Sequence, residues 1–338
     1  MTTGWWWDVL GLAIVAFAVV DEVRTTLAVA GGPGPLTRLI TRAVWRLARR
    51  PDVANAAPVR AVGGPGVIVV GLTLGSWFTL LWLGWALVFL GDERAVVGSS
   101  TGATASLWER FYFAGYSVTT LGNGEFQPTG AGSQLATVAA ALSGMLLITL
   151  GVSYLTSVIS AVVDKRSFAA QVTGFGDTAA DMAAGLATPG SMVPAVTTLS
   201  SLSSALSTVA QQHRAHPLLH AYRPRAAELG TAPAVAVLLD TTLLLSAAAD
   251  PAERLPAGLR RSVVSAVQQY AGHASVPGGE GAAPAPALDP EVTRRAGLRV
   301  DVGELAARTA EHADLRDELA RRIEAAGYRW PGAARPAS

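Results

Sequence analysis

Two stretches of the chain, Gly66 to Leu90 and Ala131 to Val163, contain no Asp, Glu, Lys or Arg. At 1.5 Å per residue the first makes a helix about 37 Å long, against a hydrocarbon core of about 30 Å. It is long enough to cross a bilayer. The second exceeds what a span needs, so it must tilt or project beyond the membrane. A third stretch, Trp5 to Ala30, has a short apolar run from Val9 to Val20, followed directly by Asp21, Glu22 and Arg24. Two placements fit it: a first transmembrane helix with its charges near an interface, or an amphipathic helix lying in the membrane surface. Trp5, Trp6 and Trp7 suit an interfacial belt in either case.

The pattern changes from about Ser167, where the chain becomes rich in Ala, Ser and Thr with Pro interruptions. Helices are predicted over 168–187, 192–213, 233–249, 257–273 and 302–326. The 233–249 stretch is apolar but short and carries Asp240, which suits a buried core helix better than a span. Residues 275–288 (SVPGGEGAAPAPAL) read as a linker. The last helix has Asp301 and Glu304 as a cap pair, with Glu304–Arg308, Asp317–Arg321 and Glu318–Arg322 at i,i+4. No internal repeat and no convincing run of strands is visible.

Composition agrees with a membrane protein carrying a soluble part. Half of the 338 residues are apolar, 15% are charged, and the mean hydropathy is +0.35; soluble domains carry about 25% charge. A net charge of +1 gives no support to nucleic acid as a partner. The absence of cysteine excludes disulfides, thiolate zinc sites and cysteine nucleophiles. The start, MTTGWWWDVL, lacks a basic n-region and a cleavage site, and is read as mature sequence. Residues 31–65 carry Arg38, Arg42, Arg46, Arg49, Arg50 and Arg60 against Asp52. Residues 91–130 carry Asp92, Glu93, Glu109 and Glu125 against Arg94 and Arg110. The basic loop is therefore expected in the cytoplasm and the acidic one outside, and Lys165 and Arg166 after the last span agree. Arg38, Arg42, Arg46 and Arg49 recur at helical spacing, facing either anionic headgroups or plain solvent.

Between the two long apolar stretches, Ser106 and Glu109 form a capping box (S-L-W-E) ahead of an amphipathic run to Tyr116. That helix is too short to cross a bilayer, and it runs into the loop Thr119-Thr120-Leu121-Gly122-Asn123-Gly124-Glu125. Span, short external helix, Thr/Gly loop, span is the order of a re-entrant pore loop. Irregular backbone at membrane depth is tolerated only inside protein or beside water. An ordinary glycine turn would need none of this setting, and a phosphate loop needs a βαβ unit, which is missing.

These residues resemble the two-transmembrane, pore-loop cation channels of the potassium channel family. That family's filter reads T-V-G-Y-G-D, and this one reads T-L-G-N-G-E over Thr120 to Glu125. Pro128 holds the place of the family's proline after the acid, and Gly144 that of its inner-helix hinge glycine. The resemblance covers residues 66–163. It implies an all-α membrane protein with an outer helix (66–90), a pore helix (106–117), a filter (119–125), an inner helix (131–163) and four copies around one pore. Carbonyls of Thr120, Leu121, Gly122, Asn123 and Gly124 are then the ion-binding positions for K+ or Na+, in place of a hydration shell. Thr119, Glu125, Tyr112 and Phe113 are the supporting positions. Where the family commonly has an aromatic ring packed behind the filter, this chain has Asn123, which predicts reduced discrimination between K+ and Na+.

Thr149, Ser153, Thr156 or Ser157, and Ser160 share one face of the inner helix. They line a wet vestibule or bond back to their own helix. Gly144 and Gly151 suit either bending or helix contact. In the tail, His213, His216 and His220 read as a helix-end surface cluster rather than a sensor. Asp177, Asp181 and Asp240 lack calcium-loop spacing. No nucleotide-binding α/β domain, nucleophile–base set or P-loop is visible.

The chain thus divides into an N-terminal membrane helix (1–30), a basic loop (31–65), the pore module (66–163), a helical cytoplasmic domain (167–274), the linker (275–288) and a C-terminal helix with tail (289–338). The expected function is a multi-pass, homotetrameric cation channel of the cell membrane. Its partners are its own copies, membrane lipid and a regulator of unknown kind, with no cofactor, no structural metal and no catalytic residue. The alternatives are a strictly K+-selective channel and a non-conducting membrane-anchored interaction protein.

Overall fold

The computed structural model describes residues 4–27, 32–48, 65–188, 190–215, 219, 230–272, 283–295 and 297–332. Arg49, Arg50, Arg60, His216, His220 and the first part of the linker lie outside these. The described residues form two compact units, divided just after Val158.

The first unit opens with α1 (Trp5–Leu27), α2 (Pro35–Ala48) and α3 (Pro65–Leu90). In lipid a helix satisfies its own backbone hydrogen bonds, so the charge-free α3 needs no partner to remain helical. α1 follows it antiparallel: the Cβ that Gly4 lacks would lie 1.7 Å from the Gly91 carbonyl oxygen, and that of Gly11 2.5 Å from the Gly84 oxygen. Small residues let the two backbones touch.

Further along this contact, Asp21 is fully buried. Its carboxylate accepts from the Leu36 N–H (2.8 Å), the Thr37 hydroxyl (2.8 Å) and the indole N–H of Trp77 (2.9 Å). It thereby caps the first turn of α2, where a negative charge is favourable. The adjacent Thr25 hydroxyl donates to Thr37 at 3.1 Å and accepts from the Gly34 N–H at 2.9 Å.

Three tryptophans of α3 reach three different elements. Trp77 donates to Asp21 of α1, Trp82 to the Phe111 carbonyl (2.8 Å), and Trp85 to the Ser143 hydroxyl (2.9 Å). A buried indole N–H requires such a partner.

After α3 come β1 (Val96–Gly98), α4 (Leu107–Val118), β2 (Phe126–Pro128) and α5 (Ala131–Thr173). The sequence gives no sign of strands. The three-residue β1 and β2 nevertheless pair antiparallel, Val97 opposite Gln127, and are too short for any alternation to register. α5 continues ten residues past Val163, because Asp164, Lys165 and Arg166 end an apolar run without breaking a helix.

The second unit is helical. A single helix over 168–187 is expected, but the chain breaks between Thr173 and α6 (Ala179–Leu186), at Gly174 and Gly176, and restarts on a Thr178 cap whose hydroxyl accepts from the Asp181 N–H. Then follow α7 (Val193–Ala215), α8 (Thr231–Ser246), α9 (Ala257–Ala271) and the short α10 (Pro290–Arg295). The predicted 302–326 helix is two, α11 (Val302–Glu311) and α12 (Ala313–Ala325), parted at His312.

α8 is the hub, packed against α6, α9, α11 and α12. Every one of its residues except Pro233 is buried, as its apolar composition requires of a core helix. Leu305, Leu319 and Ile323 share one core with Phe168, Leu199, Leu238 and Val263, so the stretches on either side of the linker fold together. The core encloses an ion pair. Arg316 grips Asp240 through two hydrogen bonds (2.8 and 3.1 Å) and also donates to the Pro286 carbonyl. Burial raises the Asp240 carboxyl above its ordinary range, against the opposing pull of Arg316.

Among the described residues, three helices are long and apolar enough to cross a membrane: Gly66–Leu90, Ala131–Thr173 and Val193–Ala215. In the last of these, Leu199, Leu202, Leu206 and Val209 face the core while Thr197, Ser200, Ser201, Ser204 and Thr208 face outward. That division is the mark of a core-packed helix.

Candidate functional site

α4 starts on the expected box: the Ser106 hydroxyl accepts from the Glu109 N–H, and the Glu109 carboxylate accepts from the Ser106 N–H at 2.6 Å. These bonds, the backbone one foremost, hold the Glu109 carboxyl below its usual range. Arg110 is buried and donates to three carbonyls, those of Ala105, Asp92 and Glu93. It ties the start of α4 to the loop that leaves α3.

At its other end α4 delivers the Thr119–Glu125 loop. The N–H groups of Thr119, Thr120 and Leu121 donate back to Gly115, Ser117 and Tyr116, closing the helix end. Beyond this, every second residue lies in the left-handed region: Thr120 (φ 57°), Gly122 (φ 57°) and Gly124 (φ 77°). Glycine takes that conformation without strain, whereas a threonine does so only under constraint from its surroundings. Thr119 through Glu125 are all exposed. A chain of backbone oxygens so placed is suited to replacing water around a small cation.

Asn123 does not stand free at the outer mouth. Its side-chain N–H donates to the Tyr112 hydroxyl, and its side-chain oxygen accepts from the Glu125 N–H at 3.0 Å. The ring on α4 and the amide on the loop are therefore tied to each other. Tyr112 stacks edge-on against Tyr116 and Phe126, and the Tyr116 hydroxyl donates to the Phe126 carbonyl at 2.8 Å. Phe113 turns the other way, buried against Phe89 of α3. It has no contact with the loop among the described ring contacts and hydrogen bonds.

At the rim, Ser99 donates its hydroxyl to the Gly124 carbonyl (2.7 Å) and its N–H to the Glu125 carbonyl (2.9 Å). The β1–β2 pair holds these partners together. Tyr116, Phe126, Ser99 and Arg110 escape a reading by sequence. Only the aromatic character of the two rings could have signalled them.

The base of the loop rests on α5. A Cβ at Gly144 would lie 1.8 Å from the Val118 carbonyl oxygen, so this glycine is where the inner helix touches the end of the pore helix. α5 passes through Gly144 and Gly151 as one unbroken helix. Thr149, Ser153, Thr156, Ser157 and Ser160 are exposed on it. The hydroxyls of Thr149, Ser153, Thr156 and Ser157 each donate to the carbonyl four residues earlier. Their donors are thus used locally. Leu135, Val138, Leu142, Ile148, Val152 and Ile159 on the same helix are more than half exposed, an extent of open apolar surface that calls for lipid or further copies of the chain.

A family profile described as an ion channel matches residues 67–161, the stretch that holds this site. The chain is also similar to a Bacillus subtilis (strain 168) protein described as the uncharacterized membrane protein YdjJ. The two are 34% identical over 230 residues, covering 68% of this chain and 67% of the relative. No solved structure matches.

Proposed function

Since the chain belongs to the family of ion channels built on a two-transmembrane, potassium-channel-like pore domain, we propose that it forms a homotetrameric cation channel in the cell membrane. Four exposed Thr119–Glu125 loops would ring one axis. Carbonyls of Thr120, Leu121, Gly122 and Asn123, with the Thr120 hydroxyl, replace the hydration shell of K+ and, with reduced discrimination, of Na+. The C-terminal end of α4 favours a cation beneath them. The observation that carries this reading is the left-handed backbone at every second filter residue. The basic stretch before α3 and Lys165 and Arg166 after the inner span support a cytoplasmic tail. α1, lying along α3, shares its depth in the bilayer. Passive permeation needs no cofactor and no catalytic residue.

One observation favours the strictly K+-selective alternative: the Asn123–Tyr112 bond supplies the brace that the missing ring would have given. Bi-ionic recordings of the purified protein in planar bilayers separate the two. A reversal potential displaced from the K+ equilibrium value is expected. A reversal at that value selects the strict channel, and absence of current from intact tetramers overturns conduction.

Gly122→Ala tests the filter itself. No atom of its own chain crowds its missing Cβ, so within one subunit the substitution costs left-handed strain, about 1 kcal/mol. Flux into liposomes is expected to be lost while size-exclusion chromatography still reports the wild-type assembly.

A further inference from the structure

Glu22 is fully buried, and neither of its carboxyl oxygens has a hydrogen-bond partner. Its neighbour Asp21 is equally buried but accepts from backbone, hydroxyl and indole donors. The two carboxyls therefore differ in kind. An isolated carboxylate in a low-dielectric interior costs so much free energy that it takes up a proton instead.

Among the described residues, no charged group packed on α1 opposes it. α3 holds no titratable side chain between Pro65 and Leu90. The Thr73 hydroxyl, one turn from Trp77 on that helix, is itself buried without a partner. Arg24 on α1 and Arg38, Arg42 and Arg46 on α2 are all exposed. The Tyr154 ring that meets Trp77 from α5 brings a phenol there and no cationic group. An orphaned buried acid weakens the contact that holds it, so the α1–α3 seat does not need Glu22 for its strength.

We propose that Glu22 is a proton-binding site, protonated when α1 is seated on α3, and that release of its proton to solvent unseats α1. The proposal rests on the α1–α3 packing and is independent of whether the pore conducts.

The test uses the full chain in lipid vesicles and compares wild type with E22Q, the isostere of the protonated acid, which keeps the seat filled. Infrared difference spectra at neutral pH are expected to contain a protonated-carboxyl band in wild type that E22Q lacks. Amide hydrogen exchange of residues 5–27, normalised to E22Q at each pH, is expected to lose protection as pH rises. The loss is about tenfold per pH unit while one proton separates the two states. An ionised Glu22 band at neutral pH overturns the proposal. So does an exchange profile in wild type that parallels E22Q at every pH.

Discussion

Gly144→Ala is expected to abolish channel assembly, with a loss of stability at the upper end of what core overpacking costs, about 3 kcal/mol. The added methyl would stand 1.8 Å from the Val118 carbonyl oxygen, 2.7 Å from its carbon and 3.2 Å from its Cα. All three atoms are backbone, so no side chain can rotate aside. α4 must move off α5, and Val118 immediately precedes the Thr119–Glu125 loop. Thermal unfolding of the solubilised protein and flux into liposomes check this. Gly132→Ala, on the same helix with nothing within 4 Å, is the matched control and should behave as wild type. A glycine that served bending alone would give the opposite pattern, with stability intact and gating altered.

Asp240→Ala is expected to destabilise the C-terminal unit by about 4 kcal/mol, since it strands a guanidinium inside the core. The Arg316 and Asp240 side chains are 4% and 3% exposed. Arg316 would keep only the Pro286 carbonyl and the face of Trp330, 5.3 Å from the ring centre. Pairing Asp240→Leu with Arg316→Met should recover most of the loss, because the cost lies in the uncompensated charge rather than in a missing attraction. Chemical denaturation of the full chain, followed by circular dichroism, distinguishes single from double substitution.

What the sequence reveals and conceals follows from the physics of each element. α3, α5 and the pore helix are legible because lipid demands long uncharged runs and because Ser106 with Glu109 is a local signal. Contacts between distant residues leave no such trace. Asn123 is conspicuous in the sequence as a missing ring, yet its bond to Tyr112 spans eleven positions and reverses what its polarity suggests. Gly144 is legible as a glycine at a telling place, but its close approach to Val118 is a property of two backbones. Asp21 and Glu22 look alike as neighbouring acids, and only packing separates the capping residue from the orphan. The break at His312 is hidden because the residues on both sides are good helix formers.

The three indoles of α3 also impose an order of assembly. Trp77 reaches back to Asp21, which has already left the ribosome when α3 emerges, whereas Trp82 and Trp85 reach forward to Phe111 and Ser143. The N-terminal helix and α3 can therefore close on each other during synthesis. Two indole donors then wait in the bilayer until α4 and α5 arrive to accept them. A nascent chain stopped short of α5 carries an indole donor at Trp85 whose acceptor, Ser143, has yet to be made.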